Sequence, residues 1–165
     1  MSQKTLKRMV AGVLVGCAVS ALILRVARAT PPFGVLSNII LAGPIVMDEI
    51  TAVNHPPGYT GYTAVVKTTG QSDTYVQDLT IAPGGYSGWH SHPGHSFVMV
   101  RSGTASFYQA ADPATPQVYP AGTGFVEEPW VVHNAVNEGD TDLELFVFYL
   151  LPKGAPRRID EPAPQ

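Results

Sequence analysis

His90, Ser91, His92, Pro93, Gly94 and His95 place three of the chain's five histidines in one short polar run, between glycine-rich punctuation and an apolar strand-like stretch. In an extended segment successive side chains point to opposite faces, so His90 and His92 project from the same face with their imidazoles close together. Two convergent imidazoles are half of a metal site. Pro93 and Gly94 then turn the chain and re-aim His95, whose direction the spacing alone does not give. His133 lies far downstream in another strand-like stretch, Val131 to Asn137. Brought back by the fold, it would complete a set of three neutral imidazoles able to hold one divalent ion, Fe, Mn, Ni, Cu or Zn. Such a set leaves coordination positions open for water, dioxygen or a bidentate substrate, which is what separates a catalytic from a structural site.

The elements that must position these residues are strands. Short runs rich in Val, Ile, Thr, Tyr and Phe recur between Gly, Pro, Asp and Asn clusters, the pattern of sandwiches and barrels. Strands are expected at 39–50, 62–68, 74–81, 95–101, 105–109, 117–119, 124–128, 131–136 and 143–150. Turns are expected at Thr69-Gly70, Pro83-Gly84-Gly85, Ser102-Gly103, Ala121-Gly122 and Glu138-Gly139-Asp140, a density that suits tight hairpins rather than crossover helices. After Thr30 no apolar run keeps a helical period. Tyr86, Trp89, Phe97, Met99, Phe125, Trp130, Phe146 and Phe148 are candidates for the apolar wall of a barrel mouth, although alternation lets only part of the set face inward.

Residues 1–29 read as an export signal. Lys4, Lys7 and Arg8 form a basic start, Val10 to Leu24 an apolar stretch, and Ala27-Arg28-Ala29 a cleavage pattern. An uncleaved membrane anchor, or lipidation at Cys17, is the alternative. Cys17 is the one cysteine, so a chain starting at Thr30 has no thiolate chemistry, disulfide or thiolate metal ligand. The segment carries five of the ten basic residues and no acidic one, and removing it takes the formal charge from -3 to -8. Such an acidic domain repels phosphate backbones, which argues against nucleic acid as a partner. A membrane is a partner only if the segment stays uncleaved, and the expected location is the periplasm or outside the cell.

Gly84 to Gly103 resembles the first cupin motif, a glycine, five residues, a His-x-His pair, a short gap, a glutamate, six residues and a glycine. Gly84, His90, His92 and Gly103 fit their places, and Ser96 stands where the family has its glutamate ligand. His133 followed by Asn137 is similar to the end of the second cupin motif, whose upstream proline and glycine are here Glu128 and Trp130. The resemblance covers roughly Thr74 to Leu151. It implies an all-β fold, a double-stranded β-helix or jelly-roll barrel. On that plan residues 74–151 form the core barrel, 30–73 supply N-terminal strands packing on it, and 152–165 form an extended tail. A homodimer is also implied by the resemblance.

Without the glutamate, a three-histidine site brings no ligand charge and leaves the ion a stronger Lewis acid. Three alternatives restore a fourth ligand: His95, or a carboxylate from Glu127 or Glu128, of which a strand allows at most one to face the site. His95, Tyr86 and Glu127 are the candidate catalytic groups. As bland readings, Glu127 and Glu128 are a solvated strand end, His55 is a turn residue, and Lys67 and Arg101 are a strand edge. The expected activity is that of a metal-dependent enzyme, a dioxygenase or related oxidoreductase acting on a small molecule. The alternative is a non-catalytic protein binding a small ligand or the metal itself.

Overall fold

A computed structural model describes residues 28–54 and 56–165. His55 and residues 1–27, which include Cys17 and nearly all of the segment read as an export signal, lie outside the described residues. The regular elements of the described residues are strands throughout. In chain order they are β1 (Phe33–Ile45), β2 (Glu49–Asn54), β3 (Ala64–Thr69), β4 (Ser72–Tyr86), β5 (His90–Ser91) and β6 (His95–Ser102). Then follow β7 (Thr104–Gln109), β8 (Asp112–Pro120), β9 (Gly124–Glu127), β10 (His133–Val136), β11 (Leu143–Pro152) and β12 (Ile159–Asp160).

Ten of these strands form one antiparallel sheet that nearly closes into a barrel, in the order β12-β5-β10-β4-β11-β6-β9, with β1 on β4 and the β7–β8 hairpin on β10. The pair β2–β3 is separate. Strand β4 joins the two parts of the sheet. Its Ser72–Ile81 stretch pairs with β11, while Tyr86 at its end pairs with Val136 of β10.

Period-2 alternation decides the core. Along β11 the inward phase is Leu143, Leu145, Val147, Tyr149 and Leu151, and along β6 it is Ser96, Val98 and Val100. With Ile81, Ala105, Phe107 and Ala135 these side chains fill the barrel. The register sets Ser96 between Tyr149 of β11 and Glu127 of β9, so three polar inward positions lie in one row at the end of an otherwise apolar face.

Several local expectations are corrected. The stretch 39–50 is two strands, broken at Val46-Met47-Asp48, and the first begins at Phe33 because β1 follows β4 in register from Phe33↔Tyr86 to Ile45↔Ser72. Pro83-Gly84-Gly85 bends the strand instead of reversing it. Gly84 N–H donates to the Asn137 carbonyl and Asn137 N–H to the Gly85 carbonyl, each at 2.9 Å. A Cβ at Gly85 would lie 2.8 Å from the carbonyl oxygens of Ala82 and Phe33, so the close crossing of β1 requires glycine there. The two-residue strands β5 and β12 have no hydrophobic pattern that could announce them.

Candidate metal centre

Strand β5 carries His90, with His92 just past its end, and is short because Pro93 and Gly94 turn the chain. A Cβ at Gly94 would fall 2.2 Å from the Leu150 carbonyl oxygen, so only glycine lets this turn lie against β11. Antiparallel pairing with β10 sets His133 opposite His90. The three imidazoles of His90, His92 and His133 come together with ring centroids 4.3 to 5.2 Å apart. Their ligating atoms lie within 4.8 Å of one another, and all three side chains are buried.

Each Nδ1 faces a backbone carbonyl, which only accepts. His90 Nδ1–H donates to Gly88 and His133 Nδ1–H to Val131, both at 2.8 Å, and His92 Nδ1–H donates to Arg157 at 2.5 Å. In a neutral ring this fixes the tautomer and leaves Nε2 with the lone pair, as in metal-ligating histidines. Across from them, Glu127 Oε2 lies 3.2 Å from His92 Nε2 and Oε1 lies 3.4 Å from His133 Nε2. Neither nitrogen has a hydrogen-bond partner of proper geometry, and Ser96 Oγ, in the same row, has none either.

The electrostatics favour the ligand forms. Burial, then the neighbouring His133, holds His90 well below the ordinary imidazole value. Burial also lowers His133, against the pull of Glu127. Burial alone would push the Glu127 carboxyl up, yet attraction to His133 and His92 holds it at about 2. In its neutral form, which burial favours, His133 sets its Nε2 lone pair against the Glu127 carboxylate 3.4 Å away. A shared cation relieves that repulsion, so the donor set fits a divalent ion.

A cavity of about 180 Å³ opens beside the cluster, lined by His90, His92 and Glu127 on one side. Its walls are Val35, Leu79, Val98, Leu145 and Val147, and Gln77, Tyr149, Arg157 and Arg158 also line it. None of the eight aromatic and methionine candidates lines it. Phe97, Met99 and Phe148 take the outward phase of their strands, and Trp130 is also exposed.

Of the sequence candidates, the fold brings together His90, His92, His133 and Glu127, and leaves the others apart. His95 is exposed at the start of β6, beside Lys67 and Leu150. Tyr86 packs on Phe33 with ring centroids 5.8 Å apart, outside the cavity. Glu128, next to Glu127, is exposed. Asn137 binds backbone instead: its Nδ2 donates to the Ile81 and Thr141 carbonyls at 2.8 Å, and its Oδ1 accepts from Gly139 N–H at 3.0 Å. Trp130 adopts φ 61°, the left-handed conformation suited to the glycine whose place it takes.

Sequence reading expected an extended tail at 152–165 but not its part in the site. Strand β12 pairs with β5 through Ile159↔Ser91 and Asp160↔His90, Ser91 Oγ–H donates to Glu161 Oε1 at 2.9 Å, and Arg157 supplies the carbonyl that orients His92. The one available signal was the basic pair Arg157-Arg158 in a proline-rich end of an acidic chain.

Residues 77–149 match a family model described as "Cupin domain". No curated protein matches the chain. Among solved structures, a cupin-like protein from Thermotoga maritima is 21% identical, covers 55% of this chain and 65% of its own, and has a TM-score of 0.47. An uncharacterized conserved protein with a double-stranded beta-helix domain from Klebsiella pneumoniae is 22% identical, covering 72% of this chain and 90% of its own, with a TM-score of 0.45. An oxalate oxidase in complex with the substrate analogue glycolate is 24% identical and has a TM-score of 0.42. That match covers 46% of this chain, which spans 41% of the oxidase.

Proposed function

Because this chain is a small cupin-superfamily protein with its cupin domain at residues 77–149, we propose that it holds one divalent metal ion through His90, His92 and His133. On this reading it is a mononuclear metal-dependent enzyme, a dioxygenase-like oxidoreductase acting on a small molecule. The observation that supports it best is the convergence of three tautomer-fixed Nε2 atoms and one buried carboxylate at the mouth of an aliphatic cavity. When bound, a divalent ion there supplies a Lewis acid and, if redox-active, an electron donor or acceptor.

The chain's own residues do the rest. Gly88, Val131 and Arg157 carbonyls hold the imidazoles in orientation. Val98, Leu145 and Val147 exclude bulk water from the reacting end, and the cavity volume restricts the occupant to a small molecule. The basic and apolar opening of the chain supports a location in the periplasm or outside the cell.

One observation favours a second reading, a non-catalytic binder of a small ligand or of the metal. Glu127 is held at about 2 and burial pushes the Tyr149 phenol up, so neither is poised to exchange a proton near neutrality. The test is elemental analysis of chain purified without chelator and reconstituted with Fe, Mn, Ni, Cu or Zn, beside His92→Ala, followed by oxygen-uptake assays on small organic molecules. Near one equivalent of metal, lost in the variant, with metal-dependent uptake, is the expected result. Metal without turnover would leave the binder, and no metal in either chain would overturn both metal readings.

A further inference from the structure

The cavity lining includes two arginines, Arg157 and Arg158, and one carboxylate residue, Glu127, in a protein of formal charge -3. Both arginines lie beyond residues 77–149, on the tail that β12 fastens to β5.

The two arginines are used differently. Arg157 Nη1 donates to Gln77 Oε1 at 2.6 Å, and its guanidinium stacks over the Tyr149 ring at 5.3 Å, so it is braced against the barrel. Arg158 Nε donates to Asp160 Oδ1 at 2.5 Å, but its buried Nη2 has no partner. A guanidinium with a purely structural role has its buried donors satisfied, because an unpaired one costs roughly 1–3 kcal/mol or more. Asp160, two residues after Arg158, pairs with His90 across β12 and β5, and Arg158 lines the same cavity as His90 and His92.

We propose that Arg158, backed by Arg157, forms an anion subsite in the cavity that the histidine cluster lines, and that the natural ligand is a small carboxylate. One end of such a ligand meets the histidine cluster and its carboxylate takes the free edge of the Arg158 fork, a geometry that suits guanidinium better than ammonium. At about 180 Å³ the cavity lies below the ~300 Å³ at which pockets for drug-sized ligands begin, which limits the ligand to a few heavy atoms. This assignment rests on the metal-site reading for the other end of the ligand but not for the Arg158 end.

The experiment uses the full chain, with and without zinc, and malonate as the probe against neutral malonamide at constant ionic strength, reading the saturable shift in Tm. Zinc content is measured first, so a missing metal site is detected independently of the anion subsite. Malonate is expected to stabilise the wild type and malonamide not to. Arg158→Gln should weaken malonate binding at least tenfold with zinc content unchanged, and Arg158→Lys should fall between. Equal binding of the two probes, or malonate binding unaffected by Arg158→Gln, would overturn the subsite and leave the metal reading standing. Arg158-dependent malonate binding by a chain that takes up no zinc would uphold the subsite and overturn the metal reading.

Discussion

All three clustered imidazoles commit Nδ1 to a backbone carbonyl, and that commitment determines what Nε2 can do. The carboxylate opposite them comes from Glu127, the register partner of Ser96, so a side chain on β9 occupies the space that a glutamate at 96 would fill from β6. If the two positions are equivalent routes to one point, Glu127→Ala should weaken metal binding by about 10–100-fold or more, and adding Ser96→Glu should restore most of it. Zinc affinity by chelator competition reads both changes; a double variant as weak as the single one would sink the equivalence. Alternation along β9 limited the carboxylate to one of Glu127 and Glu128 from sequence alone. Choosing between them needed the β6–β9 register, which no local pattern encodes. Trp130 gives a second test at this scale. Its φ of 61° costs a bulky residue about 1–2 kcal/mol, and with 65% of its surface exposed it has little packing to lose. Trp130→Gly should therefore raise stability by about 1 kcal/mol in urea unfolding, and a net loss would show that the indole contacts outweigh the strain.

Strand phase explains which parts of the fold were legible. His90 and His92 sit at i and i+2 and could be placed on one face without a structure. The alternation in β6 and β11 was equally readable, and it sends Val98, Leu145 and Val147 inward and Phe97 and Phe148 outward. Expecting an aromatic wall weighted residue type over phase. Leu145→Ala should accordingly cost roughly 2–5 kcal/mol, and Phe148→Ala well under half of that, as read by urea unfolding. The tail's part in the site was illegible for a different reason. Strand β12 has only two residues and reaches β5 across about seventy positions, so its pairing is specified by the finished barrel. Its contribution is nonetheless local, because the Arg157 carbonyl fixes His92. A chain ending at Pro156 should keep its β-rich circular dichroism but bind zinc about 10–100-fold more weakly, the usual cost of losing a partner that orients a ligand. Unchanged zinc affinity would show that His92 is held by its neighbours alone.

Across the whole molecule, the buried cluster sets the response to acid. In the metal-free chain His90 and His133 are held below the ordinary imidazole value, so beneath about pH 6.5 the unfolded chain takes up protons that the folded chain does not. Unfolding then binds protons, and stability declines as pH falls through that window. Glu127 acts in the same direction lower down. Its folded value of about 2 lies below the ordinary 4.5, so its contribution is complete above 4.5 and is lost as pH falls toward 2. Relief of surface repulsion opposes these effects only weakly, because the formal charge is -3 at neutrality. Bound metal adds a further loss, since its ligands must be deprotonated and acid releases it. Thermal melts of the chelator-treated chain between pH 7 and 3 should therefore show a Tm that falls throughout. Glu127→Gln should remove the part of the fall below about pH 4.5 that comes from this carboxylate. A Tm that holds level from pH 6.5 to 5 would mean that the imidazoles accept protons inside the fold, and the cluster would then be a set of imidazolium–carboxylate pairs that needs no ion.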